Sequence, residues 1–133
     1  MSDAGRKYKD YKIYSCFVLN KLVSALGIDI YQEELEQKLD EIIKTTPQEL
    51  TKADIRHEIR SNHNMTEKIL EELIAEELIE ILKLERKYCV RITKKGVLHI
   101  RKFNEFYAQI YESQIRDHYK YQELPAWFLK HKA

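Results

Sequence analysis

The sequence predicts a mainly helical domain carrying one small β-hairpin. Three observations point there. Among 133 residues only 3 are Gly and 2 are Pro, too few for the tight turns of a strand-rich sandwich. Apolar residues recur at intervals of three and four over most of the chain. In a single stretch, around 79–93, the period switches to two. Hydrophobic residues at 44% and charged residues at 34% are the balance of a folded chain with one core. The length is that of a single domain, 1–133.

The elements follow in order. Residues 7–26 read as a helix, with Tyr11, Tyr14, Val18, Leu22 and Leu26 along one face and Gly27 as its C-terminal cap. Residues 31–44 give a second helix through Leu35, Leu39, Ile42 and Ile43, and Pro47 closes that segment. Thr51 followed by Asp54 has the form of a capping box and opens a short helix over about 52–60. Ser61-Asn62-His63-Asn64 reads as a turn, with Asn64 capping a helix over 65–78. Ile69, Leu70, Leu73, Ile74 and Leu78 form its inner face. Ile79, Ile81 and Lys83 then alternate with Glu80, Leu82 and Leu84, and Tyr88 to Thr93 is β-rich, so two short strands pair as a hairpin. A long helix is expected over 97–121, about 37 Å at 1.5 Å per residue. Pro125 ends it, leaving 122–133 as a tail.

The net charge of +1 conceals a strong asymmetry. Residues 28–82 carry fifteen acids against six bases. Between Lys83 and Lys102 there are eight basic residues and one acid, Glu85. A stripe of this kind attracts phosphate backbones even on a chain that is nearly neutral overall.

Several function classes are excluded on the same residues. No apolar run is long enough to span a bilayer. The opening MSDAGRKYKDYK lacks the apolar centre of a signal peptide, which predicts a cytoplasmic location. Cys16 and Cys89 match no metal or redox spacing, and Cys16 lies in an apolar helix as a buried hydrophobe. The five histidines show no ligand spacing, and no Ser-His-Asp set is placed as a triad. The expectation is a protein that is not an enzyme, with no cofactor and no metal.

Helix, helix, polar turn, helix, hairpin is the element order of winged helix-turn-helix proteins, and particular residues strengthen the resemblance. Leu70-x-x-Leu73-x-x-x-x-Leu78-Ile79 resembles the end of a recognition helix entering the first wing strand. Tyr88-x-x-x-Ile92-Thr93-x-x-Gly96 resembles the second wing strand, with Thr93 capping the helix that follows. Over residues 31–97 the chain is similar to archaeal and bacterial regulators of the MarR-like and PadR-like type. It is closest to a small archaeal winged-helix group with a C-terminal coiled-coil helix, in which LTKKG…RKFNE marks the step from wing to helix. Here those runs are Ile92-Thr93-Lys94-Lys95-Gly96 and Arg101-Lys102-Phe103-Asn104-Glu105. The helix at 7–26 is an addition to the simplest form of that group.

The resemblance implies binding to double-stranded DNA. Arg60, Ser61, Asn62, His63, Asn64, Thr66 and Lys68 stand at the mouth of the recognition helix. Asn pairs bidentately with adenine, and Ser or Thr bonds bases or phosphates. Glu67, Glu71, Glu72, Glu76 and Glu77 face the other way in charge, which disfavours deep insertion of that helix. The wing is the better contact: Lys83, Arg86, Lys87, Arg91, Lys94 and Lys95, with Arg101 and Lys102 next. The rival reading makes the acidic helix a protein-docking face. A weaker rival is a sensor with a ligand pocket between the terminal helices. Phe103, Tyr107, Ile110, Tyr111 and Ile115 form an apolar stripe on the last helix, which predicts a homodimer.

Overall fold

The computed structural model describes residues 11–132, with side chains described through Leu129. Helices α1 (Tyr11–Leu26), α2 (Leu35–Thr45), α3 (Lys52–Ile59) and α4 (His63–Ala75) lead into strands β1 (Ile79–Leu84) and β2 (Lys87–Ile92). Helices α5 (Lys94–Phe106), α6 (Glu112–His118) and α7 (Ala126–Lys132) complete the chain. The first four residues of the helix expected from residue 7 lie outside the described residues.

α1 is the central element. Ile13, Cys16, Phe17, Val18, Leu19 and Leu22 are all buried, and the helix packs against α3, α4, α5 and β2. Burial on nearly every side explains why its apolar residues crowd beyond one stripe. Gly27 ends it with a positive φ of 72°, which any Cβ would strain, and its N–H donates to the Ser24 carbonyl.

α3 and α4 form the helix-turn-helix. The capping box at the start of α3 is complete: Thr51 Oγ1 accepts from the Asp54 N–H at 3.1 Å, and Asp54 Oδ2 accepts from the Thr51 N–H at 2.9 Å. The hairpin pairs antiparallel in the register Ile79↔Ile92, Ile81↔Val90, Lys83↔Tyr88. Its inner end is anchored on the loop before α3. The Val90 N–H donates to the Leu50 carbonyl, and the Ile92 N–H donates to Gln48 Oε1. Helix pair plus hairpin, in this order and packing, is a winged helix-turn-helix.

The corner from wing to α5 follows the sequence reading. Thr93 Oγ1 accepts the Gly96 N–H at 3.0 Å and donates to the Glu77 carbonyl at 2.8 Å. Lys94, Lys95 and Gly96 therefore start a helix instead of merely ending a strand, and α5 begins three residues earlier than expected.

Two expectations fail. The helix cap is not at Asn64: α4 starts at His63, and Asn62 Oδ1 accepts the Met65 N–H at 2.7 Å. The expected single helix over 97–121 is also broken. α5 stops at Phe106, and residues 107–112 run through bonds spaced by three residues: Ile110 to Tyr107, Tyr111 to Ala108, Glu112 to Gln109. No Gly or Pro stands there. What the turn achieves is burial. Ala108, Ile115, His118 and Tyr119 all become buried, and Tyr111 stacks on Phe103 with ring centroids 5.7 Å apart. The tail is likewise folded: α7 places Phe128 at 0% exposure in the core.

Candidate nucleic-acid interface

Helix α4, the expected recognition helix, turns Thr66, Ile69, Leu70 and Leu73 inward. Thr66 is 2% exposed, so it cannot reach a base edge. Asn62 spends its carboxamide oxygen on the cap, and the Ser61 hydroxyl donates to the Asn62 carbonyl. His63, Asn64, Lys68 and Glu71 are exposed and remain as the surface of the helix. Arg60, also exposed, caps α3 with φ 54°.

The acidic character of this helix is smaller than its sequence implies. α4 ends at Ala75, so Glu76 and Glu77 lie in the turn beyond it. Glu67 Oε1 accepts from Lys52 at 3.2 Å, Glu76 accepts from the Tyr11 hydroxyl at 3.0 Å, and Glu77 lies 3.8 Å from Lys95. Glu72 is half-buried.

The wing gathers the positive charge. Glu85 and Arg86 form its two-residue tip, with Glu85 at φ 54°. Lys83, Arg86 and Lys87 are exposed around it. Lys83 sits across from Tyr88 with its ammonium 5.6 Å from the ring centroid. Lys52 reaches the same ring at 5.3 Å from the first turn of α3. Tyr88 thus joins wing and α3 into one surface, and the Lys52–Glu67 bond ties α4 to it. Lys52 was missed by the sequence reading; its only local signal was its place directly after the Thr51 cap.

The other basic candidates are scattered. Arg91 is half-buried opposite Glu80, on the face of the hairpin turned away from Tyr88, beside the loop of Lys44 and Pro47. Lys94 pairs with Asp40 at 3.5 Å, Lys95 with Glu77 at 3.8 Å and Arg101 with Glu36 at 3.0 Å. Three of the eight bases in that stretch therefore face carboxylates of the acidic middle segment.

The chain is similar in fold to MepR, a transcription regulator of the Staphylococcus aureus multidrug efflux pump MepA. The identity is 16%, the TM-score 0.43, and 80% of each chain is covered. A mutant MepR from a multidrug resistant S. aureus clinical isolate gives 15% identity and a TM-score of 0.43, over 74% of this chain and 71% of that one. No protein-family pattern matches the sequence, and no curated protein sequence matches it. The winged-helix architecture is given by the element order and hairpin register above.

The stripe on the C-terminal segment is dispersed by the turn at 107–112. Ile115 is fully buried and Phe103 nearly so, both within the chain's own core. Tyr111 is half-buried against Phe103. These three are not available to a second subunit. Tyr107 and Ile110 stay exposed, and Phe106, which extends the expected stripe, joins them at 67% beside Ile110 at 71%.

The C-terminal segment instead locks onto the helix-turn-helix. His118 stacks on Phe17 at 4.0 Å, and its Nε2–H donates to the Glu58 carbonyl at 2.8 Å. The Tyr119 hydroxyl donates to Glu58 Oε2 at 2.8 Å, and Lys21 approaches the same carboxylate at 3.7 Å. Burial and the Glu58 charge hold the Tyr119 phenol well above its ordinary pKa.

A cavity of about 450 Å³ lies between α1 and α5. Cys16, Leu19, Ile100 and Phe103 line its apolar part, and Tyr11 and His99 lie at its polar side. Burial lowers the His99 pKa below its ordinary value. Burial also pushes the Cys16 thiol up, which makes it a poor nucleophile. Among the described residues no group of His, Cys, Asp and Glu could hold a metal. No described helix is long and apolar enough to cross a membrane.

Proposed function

We propose that this protein is a duplex-DNA-binding regulator that contacts phosphates mainly through its wing and acts in the cytoplasm as a homodimer. The observation that carries this reading is the surface joined by Tyr88, where Lys83, Arg86 and Lys87 of the wing meet Lys52 of α3. Asn64 and Lys68 of α4 are the side chains left to face a groove, and Glu71 limits how deeply the helix enters it. The reading contains no catalytic step. Dimerisation falls to Phe106, Tyr107 and Ile110. The narrower kinship with the archaeal group rests on the Lys94-Lys95-Gly96 and Arg101-to-Glu105 runs.

The test is a duplex titration across a salt series. Charge reversal at Arg86 and Lys87 weakens binding to all sequences and flattens the salt dependence. Unchanged binding by that variant refutes the wing contact. The protein-docking alternative loses ground because Glu67, Glu76 and Glu77 already have partners within the chain. A ligand-responsive regulator is a compatible second reading, favoured by the cavity between α1 and α5.

A further inference from the structure

Beyond the wing, α3 carries a second concentration of positive charge, in which Lys52 is paired with Glu67 at 3.2 Å and the two arginines are not paired among the described residues. Lys52, Arg56 and Arg60 recur every four residues, so they stand in line along one side of the helix, about 5–6 Å apart per step. Lys52 is the residue already drawn to the wing by Tyr88. The line therefore starts at the wing and runs to the turn of the helix-turn-helix. At its far end is an open polar groove of about 570 Å³, lined by Arg56, His57, Glu58, Arg60, Ser61 and Gln122. Gln122 comes from the segment between α6 and α7, which the Glu58 contacts hold against α3.

The charge balance of the groove is decided by Glu58. Its carboxylate accepts from the Tyr119 hydroxyl and is approached by Lys21, so its charge is offset inside the protein. Neither Arg56 nor Arg60 has an ion-pair partner among the described residues. Two guanidinium groups, an imidazole and a side-chain amide thus converge on a space with no free carboxylate. Guanidinium forks match phosphate oxygens bidentately. The groove is open and polar, which suits a hydrated charged strand and does not suit an apolar ligand.

We propose that this groove seats the phosphodiester backbone of the same duplex, so that the backbone track runs from the wing over Lys52 to Arg56, Arg60 and Gln122. The inference rests on the duplex-DNA reading. It adds a second anchoring point, built partly from the C-terminal segment. In helix-turn-helix docking the first helix crosses the backbone. The line of cations on α3 supplies the charge that such a crossing needs.

The test uses the full chain and a duplex of about 25 base pairs in a fluorescence-anisotropy salt series. Arg56→Ala is combined with Arg60→Asn, because Asn accepts the positive φ of that position. Each lost phosphate contact reduces the slope of log affinity against log salt by about 0.9, so the double variant loses about 1.8. Gln122→Ala weakens binding without changing the slope. Melting by circular dichroism confirms that each variant is folded. The proposal is overturned if the double variant keeps the wild-type slope while the Arg86/Lys87 reversal flattens it; DNA binding through the wing then stands alone. It is also overturned if inorganic pyrophosphate raises the melting temperature of wild type but not of the double variant, with the DNA slope unchanged. That result makes the groove a site for a small phosphate. If neither variant moves the slope, the duplex-DNA reading falls and this inference falls with it.

Discussion

Gly96→Ala tests the corner that fixes the wing on α5. A Cβ at this position would collide with the Leu78 carbonyl oxygen and come within 2.8 Å of Ile92 Cγ1. The first neighbour is backbone and cannot rotate away. That same carbonyl accepts the Thr93 N–H at 3.0 Å, so relief of the clash loosens the bond that closes the corner. Overpacking in a filled site costs about 1–3 kcal/mol, and a weakened backbone bond about 1 kcal/mol. Ala gains up to about 1 kcal/mol over Gly inside a helix, leaving a net loss of about 1–3 kcal/mol. For a chain of this length that is a drop of about 3–12 °C in melting temperature. Differential scanning calorimetry on wild type and variant reads it directly. A G96A protein that melts within 2 °C of wild type, or above it, refutes the steric argument, because helix propensity alone then decides (the tolerance taken as about half of the smallest shift per kcal/mol).

Three further outcomes follow from named contacts. Ile110→Asp with Phe106→Ser yields a monomer in sedimentation velocity with an unchanged melting temperature, since both residues are exposed; Ile115→Asp instead unfolds the chain, and a wild type that sediments as a monomer at micromolar concentration refutes the dimer. Asn20 and Asn104 exchange two buried hydrogen bonds, of 3.1 and 2.9 Å; Asn104→Leu strands the Asn20 amide and costs about 1–3 kcal/mol in urea unfolding, and adding Asn20→Leu recovers most of it. Burial and the nearby Glu76 raise Tyr11 to about 12, and burial with Glu105 raises Tyr31 to about 12. Both phenols therefore keep their protons in the folded state where the unfolded chain loses them, so this stability is present below pH 10 and is lost as pH rises towards 12. Urea midpoints fall from pH 9 to pH 11, and less steeply in Tyr11→Phe; an identical slope in that variant removes Tyr11 from the account.

What the sequence determined by itself is what is encoded within three or four residues. The Thr51/Asp54 capping box, the Thr93/Gly96 corner and the stop at Gly27 each close with hydrogen bonds between near neighbours, so residue type and spacing suffice to read them. The hairpin follows from its period of two, and the fold class from the order of these pieces. Even here the cap of α4 fell on Asn62 and not Asn64, because two equivalent side chains stood two residues apart and packing of Thr66 chose the register. The tertiary structure decided what depends on partners far apart along the chain, as with Phe17 and His118. A periodic apolar pattern from 97 to 121 is satisfied by one long helix or by two pieces, and the sequence does not distinguish them. Burial of Ile115, His118 and Tyr119 against Phe17 and Glu58 selected the break, and with it removed Ile115 from any interface. The same distance rule governed charge. Composition counted eight bases near the wing, but only folding set Lys94, Lys95 and Arg101 against Asp40, Glu77 and Glu36, and brought Lys52 to Tyr88. Electrostatic interaction falls with separation in space, and separation in space between distant segments is fixed only once the core has packed.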